Sequence, residues 1–225
     1  MLSFEVIHNH AANRKGGINE LNKLMPKQLD HTAVVALDES RFLAEMTRCI
    51  FQAGFSWRVI EQKWSGFEDV FHGFDPNAIL GLVPDEWDEI KSDIRIVRNP
   101  QKISSVRINA QFIEDIALET GSFARFIADW PENDLVGLFA LLKKRGSRLG
   151  GNSGQRFLRN VGKDTFVLTR DVVACLRNSG LDINANPTSK RDFTAIQQTF
   201  NQWHEETKLP YSHLSRIAAY SIDSD

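Results

Sequence analysis

At 225 residues the chain is long enough for one compact domain or two small ones, each able to bury a core. Its 42% hydrophobic and 25% charged residues exclude a disordered or fibrous protein, and a formal charge of −2 argues against indiscriminate coating of nucleic acid. No apolar run approaches the ~18–20 residues of a membrane span, and Met1-Leu2-Ser3-Phe4-Glu5 lacks the shape of a signal peptide, so a cytoplasmic protein is expected. The two cysteines, Cys49 and Cys175, lie far apart and form no CxxC, which fits neither a disulfide scaffold nor a cysteine-rich zinc module.

The pattern is helical nearly throughout. From Ser40, the positions Phe42, Leu43, Met46, Ile50 and Ala53 fall on one helical stripe, with Glu39, Arg41 and Arg48 facing away. Gly54 interrupts it, and a second short helix carries Trp57, Val59, Ile60 and Trp64. Asp75-Pro76 and Asn99-Pro100 each read as a cap followed by proline at the first helical position, and Pro84-Asp85-Glu86 opens a helix with acids where its dipole favours them. The second of those caps leads into Ile103, Val106, Ala110, Ile113 and Ala117, a run that stops at Gly121. Further helices are expected over Ser122–Trp130, Leu135–Arg145 capped by Asp134, Ser153–Val161, and Arg170–Asn178 ending at Ser179-Gly180. Phe193, Ile196, Phe200 and Trp203 stripe a long helix, and Pro210 starts the last one. Only Thr165–Leu168 shows strand alternation, so about ten helices with short loops predict an all-α fold.

The mild overall charge hides a segregated segment. Between Leu135 and Lys163 there are seven basic residues and no acid, while the rest of the chain carries 20 basic and 29 acidic residues. At its centre Lys143, Lys144, Arg145 and Arg148 flank Gly150-Gly151-Asn152-Ser153-Gly154, which reads as helix, glycine-rich hairpin, helix. Amides of such a turn, with the following helix N-terminus, converge on one point and suit a phosphate, and the flanking cations add attraction for a nucleic-acid backbone. The same residues also fit a solvated face beside a tight helical turn. GxxxxGK[ST] is absent, which excludes a P-loop.

Four blocks then come in a fixed order: Phe51-Gln52-Ala53-Gly54-Phe55-Ser56-Trp57, Phe74-Asp75-Pro76, Ile96-Val97-Arg98-Asn99 with Lys102-Ile103, and Leu142-Lys143-Lys144-Arg145-Gly146. Together they resemble the DNA-3-methyladenine glycosylase I family of the helix-hairpin-helix DNA glycosylase superfamily, over roughly 41–177. The resemblance implies two helical lobes around a DNA-facing cleft, within a single unit spanning 1–225 and carrying additions at 1–39 and 187–225. It implies hydrolysis of the N-glycosidic bond of alkylated purines, chiefly 3-methyladenine, in double-stranded DNA after base flipping; a monomer with no cofactor is expected. The alternative is a catalytically silent protein of the same scaffold that binds damaged or abasic DNA.

Three departures from the family pattern fall at chemical positions. The family's pocket glutamate, three residues before the QAG block, is matched by Cys49, and Glu45 lies one turn earlier on the same side of the helix. A carboxylate there would hydrogen-bond an extruded base or steady positive charge as the bond breaks. The aspartate that many superfamily members hold before the helix after the hairpin is matched by Thr169, with Asp171 two residues on as a stand-in or as a surface or capping residue. Of the family's zinc ligands only Cys175 remains in the matching stretch, so no metal is expected. Trp57 matches the tryptophan of the QAG block and is the candidate for stacking on the base beside Cys49, while Phe55 and Trp64 are expected in the core.

Overall fold

The computed structural model describes residues 2–27 and 29–223. In chain order the helices are α1 (Phe4–Arg14), α2 (Ile18–Lys23), α3 (His31–Val35), α4 (Glu39–Gln52), α5 (Trp57–Gln62), α6 (Trp64–Val70), α7 (Pro76–Gly81) and α8 (Pro84–Ser92). They continue with α9 (Pro100–Thr120), α10 (Phe123–Asp129), α11 (Leu135–Arg145), α12 (Asn152–Asn160), α13 (Arg170–Asn178), α14 (Lys190–Thr207) and α15 (Tyr211–Tyr220). There is no strand among the described residues, and the fold is all-α.

Local chemistry sets most helix starts. The carboxylate of Asp75 accepts from the Asn77 amide at 2.9 Å, Asn99 from Lys102 at 3.0 Å, Ser122 from Arg125 at 3.2 Å and Asp134 from Gly137 at 3.3 Å. Pro84 opens α8 while the Glu86 carboxylate reaches back to the Val83 amide. Gly121 ends α9 in the left-handed conformation. The expected Ser153–Val161 helix is displaced by one residue, to Asn152–Asn160. Thr165–Leu168 forms no strand; it is a buried extended connection, pinned where Asp164 accepts from the amides of Tyr211 and Ser212 at 2.8 Å and so caps α15. Helices α1–α3 have no counterpart among the expected elements.

Two compact units divide the chain. One comprises Met1–Gln28, Pro131–Leu138 and Asp164–Asp225. In it α15 packs against α1, α13 and α14 around Phe166 and Phe200, whose rings stack at 4.3 Å, with Phe4 against Trp203. The other comprises Leu29–Trp130 and Phe139–Lys163. There α4 is the central element, buried against α9 and α12. Its aromatic core has two parts: Phe51, Trp64, Phe67, Phe71 and Phe74 under the C-terminal end of α4, and Phe42, Phe112, Phe123 and Phe157 under its middle. No helix among the described residues is long and apolar enough to cross a membrane.

Candidate functional site

Within the second unit a polar cluster interrupts the buried face of α4. Glu45 is only 3% exposed, which a carboxylate tolerates only with partners. Arg41 Nη2 lies 3.1 Å from Oε1, and Asn160, at the end of α12, donates to Oε2 at 3.3 Å. Arg48 Nε stands 3.6 Å from Oε1, an ion pair too long to be a hydrogen bond. The rest of that guanidinium is held by Glu61 at 2.6 Å and lies 3.9 Å over the Trp64 ring. Arg41 and Arg48 therefore do not simply face away from the helix stripe; at four residues before and three after Glu45 they fold back onto its carboxylate.

Cys49, one turn on, completes the cluster: Asn160 Nδ2 is 3.6 Å from its Sγ. Burial first and the Glu45 charge second push its thiol up to about 12, against the opposing charges of Arg156 and Arg48. At ordinary pH it is a neutral thiol, neither nucleophile nor base. Trp57 opens α5 beyond a turn made by Gly54 at φ +84° and is 50% exposed, with the Arg156 guanidinium 5.0 Å from its ring centre. Trp64 is buried as expected. Phe55 is not: it is 37% exposed, because the turn carries it out of the core and over Lys102 Nζ, 4.4 Å from its ring.

Lys102 organises this turn from beneath. Its buried ammonium donates to the carbonyl oxygens of Ile50 at 2.8 Å and Ala53 at 2.5 Å, satisfying groups that the end of α4 leaves without intrahelical donors. Burial, with the nearby Arg148 charge second, lowers its proton affinity.

The basic hairpin joins α11 to α12. Buried Asn109 of α9 clamps it by accepting from the Ser147 amide at 2.7 Å and donating to the Ser147 carbonyl at 3.1 Å. Arg148 adopts φ +60° and Gly151 φ +59°. A Cβ on Gly154 would stand 2.2 Å from the Leu149 carbonyl oxygen, so only glycine lets α12 start this close to the turn. The N–H groups of Gly150 and Gly151 meet no acceptor among the described residues.

The expected phosphate cations differ in availability. Lys143, Lys144 and Asn152 are exposed and Ser153 is half-buried. Arg145 is held by Glu119 through two bonds of 2.6 and 2.7 Å, and Arg148 donates to Gln101. Lys163 is buried, donating to the carbonyls of Ala128 and Trp130 at the end of α10. Asp171 belongs to the other unit, half-buried in the first turn of α13; the cap of that helix is Thr169, which accepts from Val172 at 3.3 Å. Cys175 on the same helix is buried and receives a hydrogen bond from Ser221. No group of three or more His, Cys, Asp or Glu side chains among the described residues is arranged to hold a metal ion.

The spacing Arg41-Glu45-Arg48 was visible in the sequence as a possible i,i+4 and i,i+3 network, and Arg156 as one of seven segregated cations. Lys102 stood out only as part of a family block and Asn160 not at all, and neither contact was legible, since each acts on groups about fifty or more positions away.

A family model described as methyladenine glycosylase matches residues 23–137, a stretch that contains Glu45, Cys49, Trp57 and Lys102 and ends before the hairpin. Among solved structures, a Methanocaldococcus jannaschii 8-oxoguanine glycosylase/lyase, in complex with a DNA 15mer containing 8-oxoguanine, is similar in fold at a TM-score of 0.58 and 16% identity, over 96% of each chain. A variant of 3-methyladenine DNA glycosylase I in complex with 3-methyladenine is similar at a TM-score of 0.51 and 19% identity, over 81% of this chain and all of that one.

Proposed function

Since the chain belongs to the methyladenine glycosylase family, we propose that it removes alkylated purines, chiefly 3-methyladenine, from double-stranded DNA by hydrolysing the N-glycosidic bond of a flipped-out nucleotide. Family and fold together indicate a DNA glycosylase related to 3-methyladenine DNA glycosylase I. The observation that carries the finer reading is Glu45, a buried carboxylate on the helix that leads to Trp57, positioned by Arg41 and Asn160.

In this reading the exposed face of Trp57 receives the extruded base by stacking. An N3-alkylated purine is already a cation and leaves as a neutral base, so the chemistry asked of the protein is modest. A fixed negative charge at Glu45 steadies the positive charge that shifts to the sugar as the bond breaks, and water completes the hydrolysis. Phosphates of the backbone are gripped by the Gly150 and Gly151 amides with Lys143 and Lys144, contacts that carry no base information. Asp171 serves α13 as a first-turn acid in this scheme and takes no chemical step.

One observation favours the second reading, a scaffold that binds abasic or damaged DNA without releasing a base: the carboxylate is already paired with two arginines and its neighbour Cys49 is neutral. Counting abasic sites formed in alkylated duplex DNA separates the two. The glycosylase forms them in proportion to protein and time; the silent scaffold binds an abasic-site duplex and forms none.

A further inference from the structure

Arg156 projects from the middle of α12 and is half-buried. Its guanidinium stands 5.0 Å from the centre of the Trp57 ring, and among the described residues it has no hydrogen-bond or ion-pair partner. The neighbouring arginines are committed: Arg41 and Arg48 to Glu45 and Glu61, Arg145 to Glu119, Arg148 to Gln101. Five N–H donors in a rigid fork are thus held over an exposed indole without an acceptor among the described residues. The cluster around it holds three guanidiniums, Arg41, Arg48 and Arg156, against two carboxylates, Glu45 and Glu61, because Cys49 contributes no charge.

That balance does not suit a cationic base alone. A cation stacked on Trp57 meets the like charge of Arg156, and on departure it becomes neutral and needs no partner. An uncharged base behaves in the opposite way. When its glycosidic bond breaks, the electron pair of the C1′–N bond leaves with the base, and the developing anion gains from a preorganised cation and donor fork. Resting on the base-stacking role of Trp57 in the preceding reading, we propose that this site also releases uncharged purines that depart as anions, with Arg156 receiving the developing charge. In the balanced step the C1′–N bond breaks and water oxygen bonds to C1′. The proton that the water loses ends on the departing base, and nothing is oxidised or reduced.

The test uses the full chain on two substrates: a duplex with a single hypoxanthine, an uncharged purine with a carbonyl acceptor, and methylated DNA that yields 3-methyladenine. The expected result is release of both by the unaltered protein. In Arg156→Gln, hypoxanthine release falls about a hundredfold, the scale of one lost transition-state donor, while 3-methyladenine release rises because the repulsion is gone. Arg156→Lys, which keeps the charge, restores part of the hypoxanthine release. Release of 3-methyladenine without hypoxanthine by the unaltered protein overturns the proposal and leaves the glycosylase reading standing. An equal fall of both activities in Arg156→Gln, or an equal loss of affinity for every duplex, also overturns it, since those mark a structural or phosphate contact. Release of neither base overturns the glycosylase reading and this proposal with it.

Discussion

Glu45 and Cys49 sit one turn apart on α4, and the difference between them is a difference of charge. The carboxylate remains a usable negative group because Arg41, Arg48 and Asn160 offset the cost of burying it, whereas the thiol has been pushed up to about 12 by burial and by Glu45 itself. Glu45→Gln keeps the shape and the contact to Asn160 but removes the charge; base release should fall at least tenfold, since single acid–base or electrostatic groups typically contribute ~10²–10⁴, while the melting temperature moves little. Unchanged release in that variant removes Glu45 from the chemistry. The thiols give a second check. Cys49 and Cys175 are both buried with raised proton affinity, so a disulfide reagent at pH 8 should titrate neither in the native protein and both after denaturation. The sequence placed Glu45 on the correct helix and at the edge of its stripe, since that requires only the helical period. It could not show that Asn160, 115 positions away, closes the cluster, because nothing local to either residue encodes that contact.

Among the elements, α4 and its exit turn depend on a residue from another helix. Lys102 supplies the donors that the last carbonyls of α4 lack, and it supports Phe55 and so the approach to Trp57. Lys102→Met leaves those carbonyls buried without donors and should cost about 1–3 kcal/mol in denaturant unfolding. An unaltered midpoint would show that water replaces the ammonium and that the cap is dispensable. The hairpin is constrained in the same way: Gly154→Ala brings a methyl into the Leu149 carbonyl oxygen and should displace α12, whereas Gly150→Ala meets only the flexible chain of Lys143. Elements of this kind were legible where a side chain within three residues fixes the end, as Asp75, Asn99, Ser122 and Asp134 do. Helices α1–α3 were not, because α2 and α3 are only six and five residues long and α1 announces itself only through Phe4, Ile7 and Ala11. Phe55 departs from the expected core position for a related reason: it follows a positive-φ glycine, and the helical period does not continue through the turn.

For the whole molecule, the charge segregated between Leu135 and Lys163 survives folding only in part. Lys163 and Arg145 are consumed internally, and Lys143 and Lys144 remain at the surface beside the hairpin. Lys143→Ala should weaken DNA binding equally on every sequence, because a phosphate contact is blind to the base; a change in base preference would contradict the placement of the hairpin. Acid should destabilise the fold through its exposed ion pairs. Hydrogen bonds from Arg145 to Glu119 and from Arg95 to Asp93 hold both carboxyls below their usual range. Their contribution is therefore present above the unfolded value near 4 and is lost as pH falls through the lower folded value, so melting temperature should drop between pH 5 and pH 2 and drop less in Glu119→Gln. The all-α class followed from period and caps, and the family from four ordered blocks, but the arrangement of Glu45, Cys49, Arg156 and Trp57 needed the tertiary structure. The most direct test of the central claim is chromatographic identification of the bases freed from methylated duplex DNA by the purified chain. Free 3-methyladenine, released at a rate proportional to protein and reduced in Glu45→Gln, is the expected result; DNA that is bound while no base leaves would contradict it.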